Sequence, residues 1–526
     1  MSEGRQAPTV KADPYSNSRI RSGARSFVLG KAVSSVAGVA TLLLVVRALD
    51  IAEFAAYSVM FGIVEVLLVV SSVGTMHVLN RFIPEIFALH YGGALRSLLR
   101  VALGIRFSVL LAVLAASAIF IGPIAAAIGL DAWRGALMLY LVVALLRTVN
   151  NTLYQVLEAM LSQKYGQSAF ALVTVSRFAL VGAYYLLDLL SLHALVVIEI
   201  GSELVGALVM ARFVALQAGR AQVPATGTDA ERGWLAANRR RLVDFGLKGY
   251  SQGLLILPYT GMVNRMVMGA YFPPAQIAQF GFGQTVYDLL ARYLPAQFFA
   301  GLVRPVMTAR FSSGGGFGQV ERITNLTLNV NLVLIGLAFA CLFAGGEDML
   351  LAVTRGKYGQ ASLDLLALML CLLALESWRH VLDQMSHTLE RYGFLVFSNA
   401  LLGGSLLLGI ALFDTLGVFA LPVANAAIAT LSNLMVIAWV RHTGFPFRQD
   451  LAAPLYVALA SGAVAAGSVL LLPADLHWLL RVGIAIVAYA GLTWIAVGRR
   501  PGDRALLMGL LARRRAAGVA PTGTDA

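Results

Sequence analysis

The sequence predicts an all-α, polytopic membrane protein of about fourteen transmembrane helices, with two pseudo-symmetric six-helix lobes around a central cavity. Three observations carry this. Hydrophobic residues make up 59% of the 526 residues and charged ones only 13%, against roughly 25% charged in soluble domains. Apolar runs of about 20 residues, the length that crosses a bilayer as a helix, recur along the whole chain. Lys and Arg residues alternate from side to side of those runs with high contrast.

In chain order, a polar Arg-bearing N-tail (1–25) precedes the first lobe (26–211), whose six spans fall near 26–47, 54–79, 101–122, 135–158, 168–187 and 193–211. A basic linker (212–242) containing Arg239-Arg240-Arg241 separates it from the second lobe (243–440), with spans near 243–269, 276–300, 324–345, 361–384, 394–411 and 417–440. Two additional spans, 451–472 and 478–498, make up a segment 441–498, and a basic tail (499–526) follows. The N-tail lacks a short apolar core followed by a small-residue cleavage site, so the first span is expected to insert and stay.

With both termini cytoplasmic, the inner segments hold 27 of the 40 Lys and Arg, the outer loops hold only Arg134, Arg355 and Lys357, and ten lie inside spans. This is the positive-inside pattern, and it supports an even number of spans. The net charge of +13 therefore reads as membrane orientation and contact with anionic membrane lipids, not as nucleic-acid binding. Cys341 and Cys371 fall within expected spans and read as small packing residues, with neither a disulfide nor a metal site implied.

The two lobes repeat their charges. Lys31 and Ser34 correspond to Lys248 and Ser251 at a shift of 217, and Arg47 stands where Arg265 stands in span 7. Glu65 matches Asp288, and Arg81 matches Arg304, both at a shift of 223; Lys164-Tyr165-Gly166 matches Arg391-Tyr392-Gly393 at 227. Each match alone is weak, but their order and equivalent depth make a set. A six-span unit repeated once keeps its orientation, a plan many secondary transporters use with substrate between the lobes.

A cation at membrane depth is costly and persists where it faces water, protein or a counter-ion. Ten do so here: Lys31, Arg47, Arg106, Arg147, Arg177, Lys248, Arg265, Arg292, Arg379 and Arg481. Polar residues three or four apart share a helix face, which groups Arg147, Asn151, Gln155 and Glu158 in span 4, Gln284, Asp288 and Arg292 in span 8, and Glu376, Arg379 and Asp383 in span 10. Two readings of these charges stay open. In one they are structural pairs, such as Arg147 or Arg177 with Glu199 or Glu203; in the other they line a transport path. Lys31, Lys248, Glu65 and Asp288 favour the path, because a packing pair has less reason to recur at matching depth. Arg47 and Arg481 lie close enough to span ends to snorkel. Pro258, Pro295 and Pro422 each remove a backbone donor within a span and are expected to loosen it.

No G-x-x-x-x-G-K-[ST] loop, His/Cys cluster or G-x-S-x-G elbow appears, so no cofactor is expected and the chain reads as a non-enzyme. The longest outer loop, about 346–360, is too short for a catalytic domain, which sets a membrane glycosyltransferase or polymerase below the transport readings.

Gly30-Lys31, Arg47-Ala48-Leu49, Phe54-Ala55-Ala56-Tyr57-Ser58 and Arg81-Phe82-Ile83-Pro84-Glu85 resemble the start of bacterial polysaccharide-repeat (O-antigen-type) flippases. These belong to the multidrug, oligosaccharidyl-lipid and polysaccharide exporter superfamily. With the basic-Tyr-Gly after span 4, the resemblance extends over 26–440. It implies two lobes that alternately open a central cavity to either side of the inner membrane. It also implies flipping of an undecaprenyl-pyrophosphate-linked oligosaccharide to the periplasmic leaflet for surface polysaccharide synthesis, with a polysaccharide polymerase as a partner. Lipid II flippases of the superfamily also have fourteen spans, and cation-coupled multidrug antiporters share the fold; both remain as alternatives. On the flippase reading, Lys31, Lys248 and Arg292 hold the pyrophosphate, with Arg106, Arg147 and Arg379 as further candidates. Glu65 and Asp288 are expected to couple transport to protons or sodium.

Overall fold

The computed structural model describes residues 17–88, 91–160, 162–220, 229–298, 307, 316–389, 393–473 and 475–498. Arg304, Arg391, Tyr392, the first sixteen residues and the basic tail from 499 lie outside them. Among the described residues every regular element is helical. Twelve helices are long and apolar enough to cross a membrane, and they match twelve of the fourteen expected spans. Broad apolar faces on them stay exposed, including Leu204 and Leu208, or Leu480 and Val487, as a lipid-facing surface requires. The chain is a multi-pass membrane protein.

The other two expected spans, 243–269 and 276–300, are helical but interrupted. The first comprises α9 (Asp229–Ile256), a 3₁₀ turn at Leu257–Tyr259 and α10 (Gly261–Tyr271). Pro258 breaks it, and Asn425 Nδ2 satisfies the freed Tyr259 carbonyl at 3.2 Å. The second comprises α11 (Pro274–Tyr293) and α12 (Pro295–Phe298), divided at Pro295 and burdened by Gln276, Gln279, Gln284, Asp288 and Arg292. Pro422 does not loosen its helix. It sits in the first turn of α18 (Ala420–His442), where its missing N–H has no intrahelical partner to lose.

Chain contacts divide the protein into two compact units, one comprising 1–254 and 265–274, the other 255–264 and 275–526.

Unit 1 holds α1 (Asn17–Ala48), α2 (Ile51–Val70), α3 (Thr75–Ala88), α4 (Gly92–Ile119), α5 (Ile121–Ala127), α6 (Arg134–Ala159), α7 (Gln163–Leu186) and α8 (Leu192–Arg220). α1 packs along α7, α6 along α8, and α3 along α4 and α6. A capping box starts α2, with Asp50 accepting from the Glu53 amide at 2.6 Å and Glu53 reaching back to the Asp50 amide. Glu53 Oε1 also accepts from the Leu192 amide at 3.0 Å, so one carboxylate serves the starts of two helices. The expected second span breaks at Ser71–Gly74, where Val73 and Gly74 take positive φ. Tyr250 of α9 donates to the freed Val70 carbonyl at 2.9 Å, and the Gly74 backbone lies against that of Gly246. Beyond the break, Leu79, Phe82, Ile83, Leu98, Ala102 and Trp234 form a buried apolar core.

Unit 2 is built on α13 (Gly316–Thr354), which bends at Gly346, and α14 (Gln360–Thr388). α15 (Gly393–Gly403), α16 (Ser405–Ala411), α17 (Phe413–Leu416) and α18 follow, and the last two helices, α19 (Ala452–Leu470) and α20 (Trp478–Gly498), dock on α13. Tyr489 of α20 is buried there and donates to the Val333 carbonyl at 2.9 Å. The segment leading into α19 is clipped to the unit by Asn325 and Asn329 on Asp450 and by Trp378 on Gln449.

Candidate functional site

Each unit encloses a cluster of charge. In unit 1 the helical period brings Tyr57, Phe61 and Glu65 to one face of α2, beside Arg147 and Asn150 of α6, Arg177 of α7, and Glu199, Ser202 and Glu203 of α8. Arg147 reaches three carboxylates: Glu199 at 3.2 Å, Glu203 at 3.3 Å and Glu65 at 3.7 Å. Arg177 reaches Glu203 at 2.7 Å, Glu199 at 3.6 Å and the Ser202 hydroxyl at 3.3 Å. Asn150 Nδ2 donates to Glu203 Oε2 at 2.6 Å, and Tyr57 donates to Glu199 at 2.9 Å. The guanidiniums of Arg147 and Arg265 lie 5.1 and 4.9 Å from the Phe61 ring centroid, within cation–π range. Three carboxylates thus meet two guanidiniums, with a third, that of Arg265, on the Phe61 ring, and each charge is placed by a different turn or helix.

Unit 2 is balanced differently. Glu376 of α14 lies beside the hydroxyls of Tyr259 and Tyr287, and Asp288 is close to the same group. Gln284 donates to Asp288 at 2.9 Å. Arg379, one turn on from Glu376, donates to Asn399 of α15 at 2.6 Å and lies 3.5 Å from Asp383. His380 and Gln384 meet at 2.9 Å on the same helix, and His387 neighbours Asp383. Glu376 and Asp383 thus lie to either side of Arg379 along one helix, with Asp288 close to Glu376.

The residues singled out from sequence are scattered between these clusters and elsewhere. Arg147, Glu65, Arg379 and Asp288 join the clusters as described. The pairing of Arg147 and Arg177 with Glu199 and Glu203, one of the two readings of those charges, is present. Lys31 of α1 lies near Glu158 of α6. Lys248 is exposed and pairs with Asp244 one turn back at 2.7 Å, an environment unlike that of Lys31. Arg292 is exposed at the end of α11. Arg106 is 3% exposed in the middle of α4, and its Nε and Nη1 have no hydrogen-bond partner. Arg481 does more than snorkel, since it pairs with Asp348 of α13.

Sequence reasoning missed Tyr57, Tyr259, Tyr287, Asn150, His380 and His387. The polar stripe expected in span 4 runs through Asn151, whereas the residue at i+3 from Arg147, Asn150, is the buried one. Tyrosines carry no periodic polar signal in a span, because they count as apolar until a buried carboxylate shows what the hydroxyl serves.

No protein-family model and no curated sequence matches the chain. Solved structures do. A lipid II flippase, MurJ, in an inward closed conformation matches with a TM-score of 0.63 at 12% identity, covering 89% of this chain and 98% of that one. An inward-facing multidrug resistance MATE family transporter of the MOP superfamily matches at a TM-score of 0.59 and 12% identity, covering 78% and 94%. The MATE multidrug transporter DinF-BH matches at 0.51 and 15%, covering 84% and 99%. The chain therefore has the all-helical membrane fold shared by these flippases and transporters. At such identities the likeness is one of fold, and these neighbours are transport proteins, not enzymes.

Proposed function

We propose that the chain is a flippase that moves a polyprenyl-pyrophosphate-linked oligosaccharide from the cytoplasmic to the periplasmic leaflet of the inner membrane, by alternating access, for surface polysaccharide synthesis. The observation that carries this reading is the set of cations within apolar, membrane-length segments of a fold shared with a lipid flippase over most of the chain. A pyrophosphate needs charge-assisted hydrogen bonds, which Lys and Arg supply, while a polyprenyl tail needs an exposed apolar wall. Lys31, Lys248 and Arg292, with Arg106, Arg147 and Arg379, are the cations proposed to meet it. Glu65 and Asp288 are proposed to couple the movement to a proton or sodium gradient, and a polymerase is the proposed consumer of the product.

One feature favours a second reading. The acid-rich cluster of unit 2 suits a cation-coupled multidrug antiporter of the same fold. A deletion strain separates the two. Loss of a surface polymer with its lipid-linked unit retained on the cytoplasmic side supports the flippase. Intact polymer with new sensitivity to cationic drugs supports the antiporter.

A further inference from the structure

Arg106 is a buried guanidinium of unit 1 that no ion pair reaches among the described residues. The carboxylates Glu65, Glu199 and Glu203 are taken by Arg147 and Arg177, and Glu85 by Arg81 and Arg241. Arg106 continues the buried stripe of α4, with Leu99 and Ala102 before it and Leu110 and Leu114 after it, all apolar. A guanidinium enclosed in this way with two unpartnered nitrogens is costly unless an anion completes it.

The α2–α3 break lies at the same depth. α3 and α4 form an antiparallel hairpin in which Leu79 and Ala102 share one buried core. One turn further on each helix brings Arg106 level with Thr75, the first residue of α3. There Thr75 donates to Ser72, and Val78 donates the first i→i−4 bond of α3 to Gly74. The Met76 and His77 amides between them have no acceptor within the helix, and they mark its positive end.

We propose that Arg106 and the first turn of α3 form an oxyanion site within unit 1 that binds the phosphate of a lipid headgroup. This deepens the flippase reading if the phosphate is the substrate's, and it stands without that reading if the phosphate belongs to a resident phospholipid. A phosphate oxygen would take the free guanidinium N–H groups together with the helix N-terminal amides, the combination helix N-termini use for anions.

The test uses the purified full chain in detergent, with melting temperature and binding measured in anion-poor buffer. Inorganic pyrophosphate, a short-chain polyprenyl pyrophosphate and phosphatidylglycerol are the probes. Wild type is expected to melt higher with at least one of them. Arg106→Met should bind that probe on the order of tenfold more weakly, the loss of one charge-assisted contact. Arg106→Met should also melt no lower than wild type when no anion is present, because it removes an uncompensated buried charge, and Arg106→Lys should retain part of the response. Selective response to the polyprenyl pyrophosphate assigns the site to substrate; selective response to phosphatidylglycerol assigns it to a resident lipid, and both support the site. Equal binding by wild type and Arg106→Met, or no response of wild type to any probe, overturns it. Polymer export in a complemented deletion strain is scored separately, so failure of the flippase reading is not confused with failure of the site.

Discussion

Glu203→Gln is the sharpest probe of the unit 1 cluster, because it changes one atom's chemistry and almost no volume. Glu203 accepts from Arg177 at 2.7 Å, Arg147 at 3.3 Å and Asn150 at 2.6 Å, and the side chains of Glu203 and Arg147 are 7% and 10% exposed. The amide removes the negative charge both guanidiniums share and offers a donor where two donors already point. Removing one partner of a buried charge network costs about 3–5 kcal/mol. The exposed pair Lys248–Asp244, with side chains 73% and 59% exposed, gives the contrast. Asp244→Asn should cost less than about 1 kcal/mol, the range for solvated pairs. Both variants would be unfolded with SDS in mixed micelles, following the loss of tryptophan fluorescence or helical circular dichroism. Adding Arg177→Gln to Glu203→Gln should cost less than the sum of the two single changes, because the second change removes the charge stranded by the first. Equal stabilities for Glu203→Gln and Asp244→Asn, or strict additivity in the cycle, would refute a tightly coupled buried network.

Five further substitutions test the helix breaks and their surroundings. Gly74→Ala should destabilise by about 2 kcal/mol or more, since it forces a side chain onto positive φ and its Cβ would overlap the Gly246 carbonyl. Gly253→Ala, where the Cβ meets nothing within 4 Å, should be neutral or stabilising in the same melting assay. Tyr250→Phe should cost about 1–3 kcal/mol by leaving the Val70 carbonyl without its donor. Asn425→Ala should cost a similar amount by stranding the Tyr259 carbonyl and the Ser405 hydroxyl, and both costs would show as lowered melting temperatures of purified protein. Asp50→Ala, which removes the cap of α2, should cost about 1 kcal/mol in the SDS titration.

Hydropathy made the all-helical, multi-pass architecture legible, because a bilayer demands long apolar helices and tolerates few exceptions. Pro258 and Pro295 signalled the broken helices, since a missing N–H breaks the backbone ladder wherever it falls. The break in α2–α3 carries no proline. Its signal was the Ser71-Ser72-Val73-Gly74 run, with glycine ready for positive φ, and hydropathy averaging hid it inside one continuous span. Arg147, Arg177, Glu199 and Glu203 were legible as intramembrane charges that could pair, but the pairs, Glu65 with Arg147 included, join residues up to 82 positions apart, so choosing that reading depends on how four helices pack. Asn150 lies one position from the residue expected, and a step of one residue turns a helical side chain by about 100°. Lys31 and Lys248 match in the repeat yet differ in surroundings. Repeats preserve backbone position more readily than they preserve what packs around a side chain.

The two clusters differ in a way that bears on cargo. In unit 1, Glu65, Glu199 and Glu203 are paired with Arg147 and Arg177, and Arg265 lies against the same Phe61 ring as Arg147, so the group as a whole presents little net charge to an anion. In unit 2, Glu376 and Asp383 lie beside the single guanidinium of Arg379. An excess of buried acids repels a phosphate and attracts a cation or a proton. If the chain carries a pyrophosphate, Arg147 and Arg379 already have acids to satisfy, and a phosphate would have to displace a carboxylate to reach either. Arg106 has no such competitor among the described residues, whereas Lys31 lies near Glu158. A matched network that fixes helix positions, an acid-rich group suited to a coupling ion and separate cations for the phosphate would divide the work of a coupled flippase among different residues. On that division, neutralising an acid in unit 2 should change the response to an ion gradient. Neutralising Arg106 should change recognition of the phosphate.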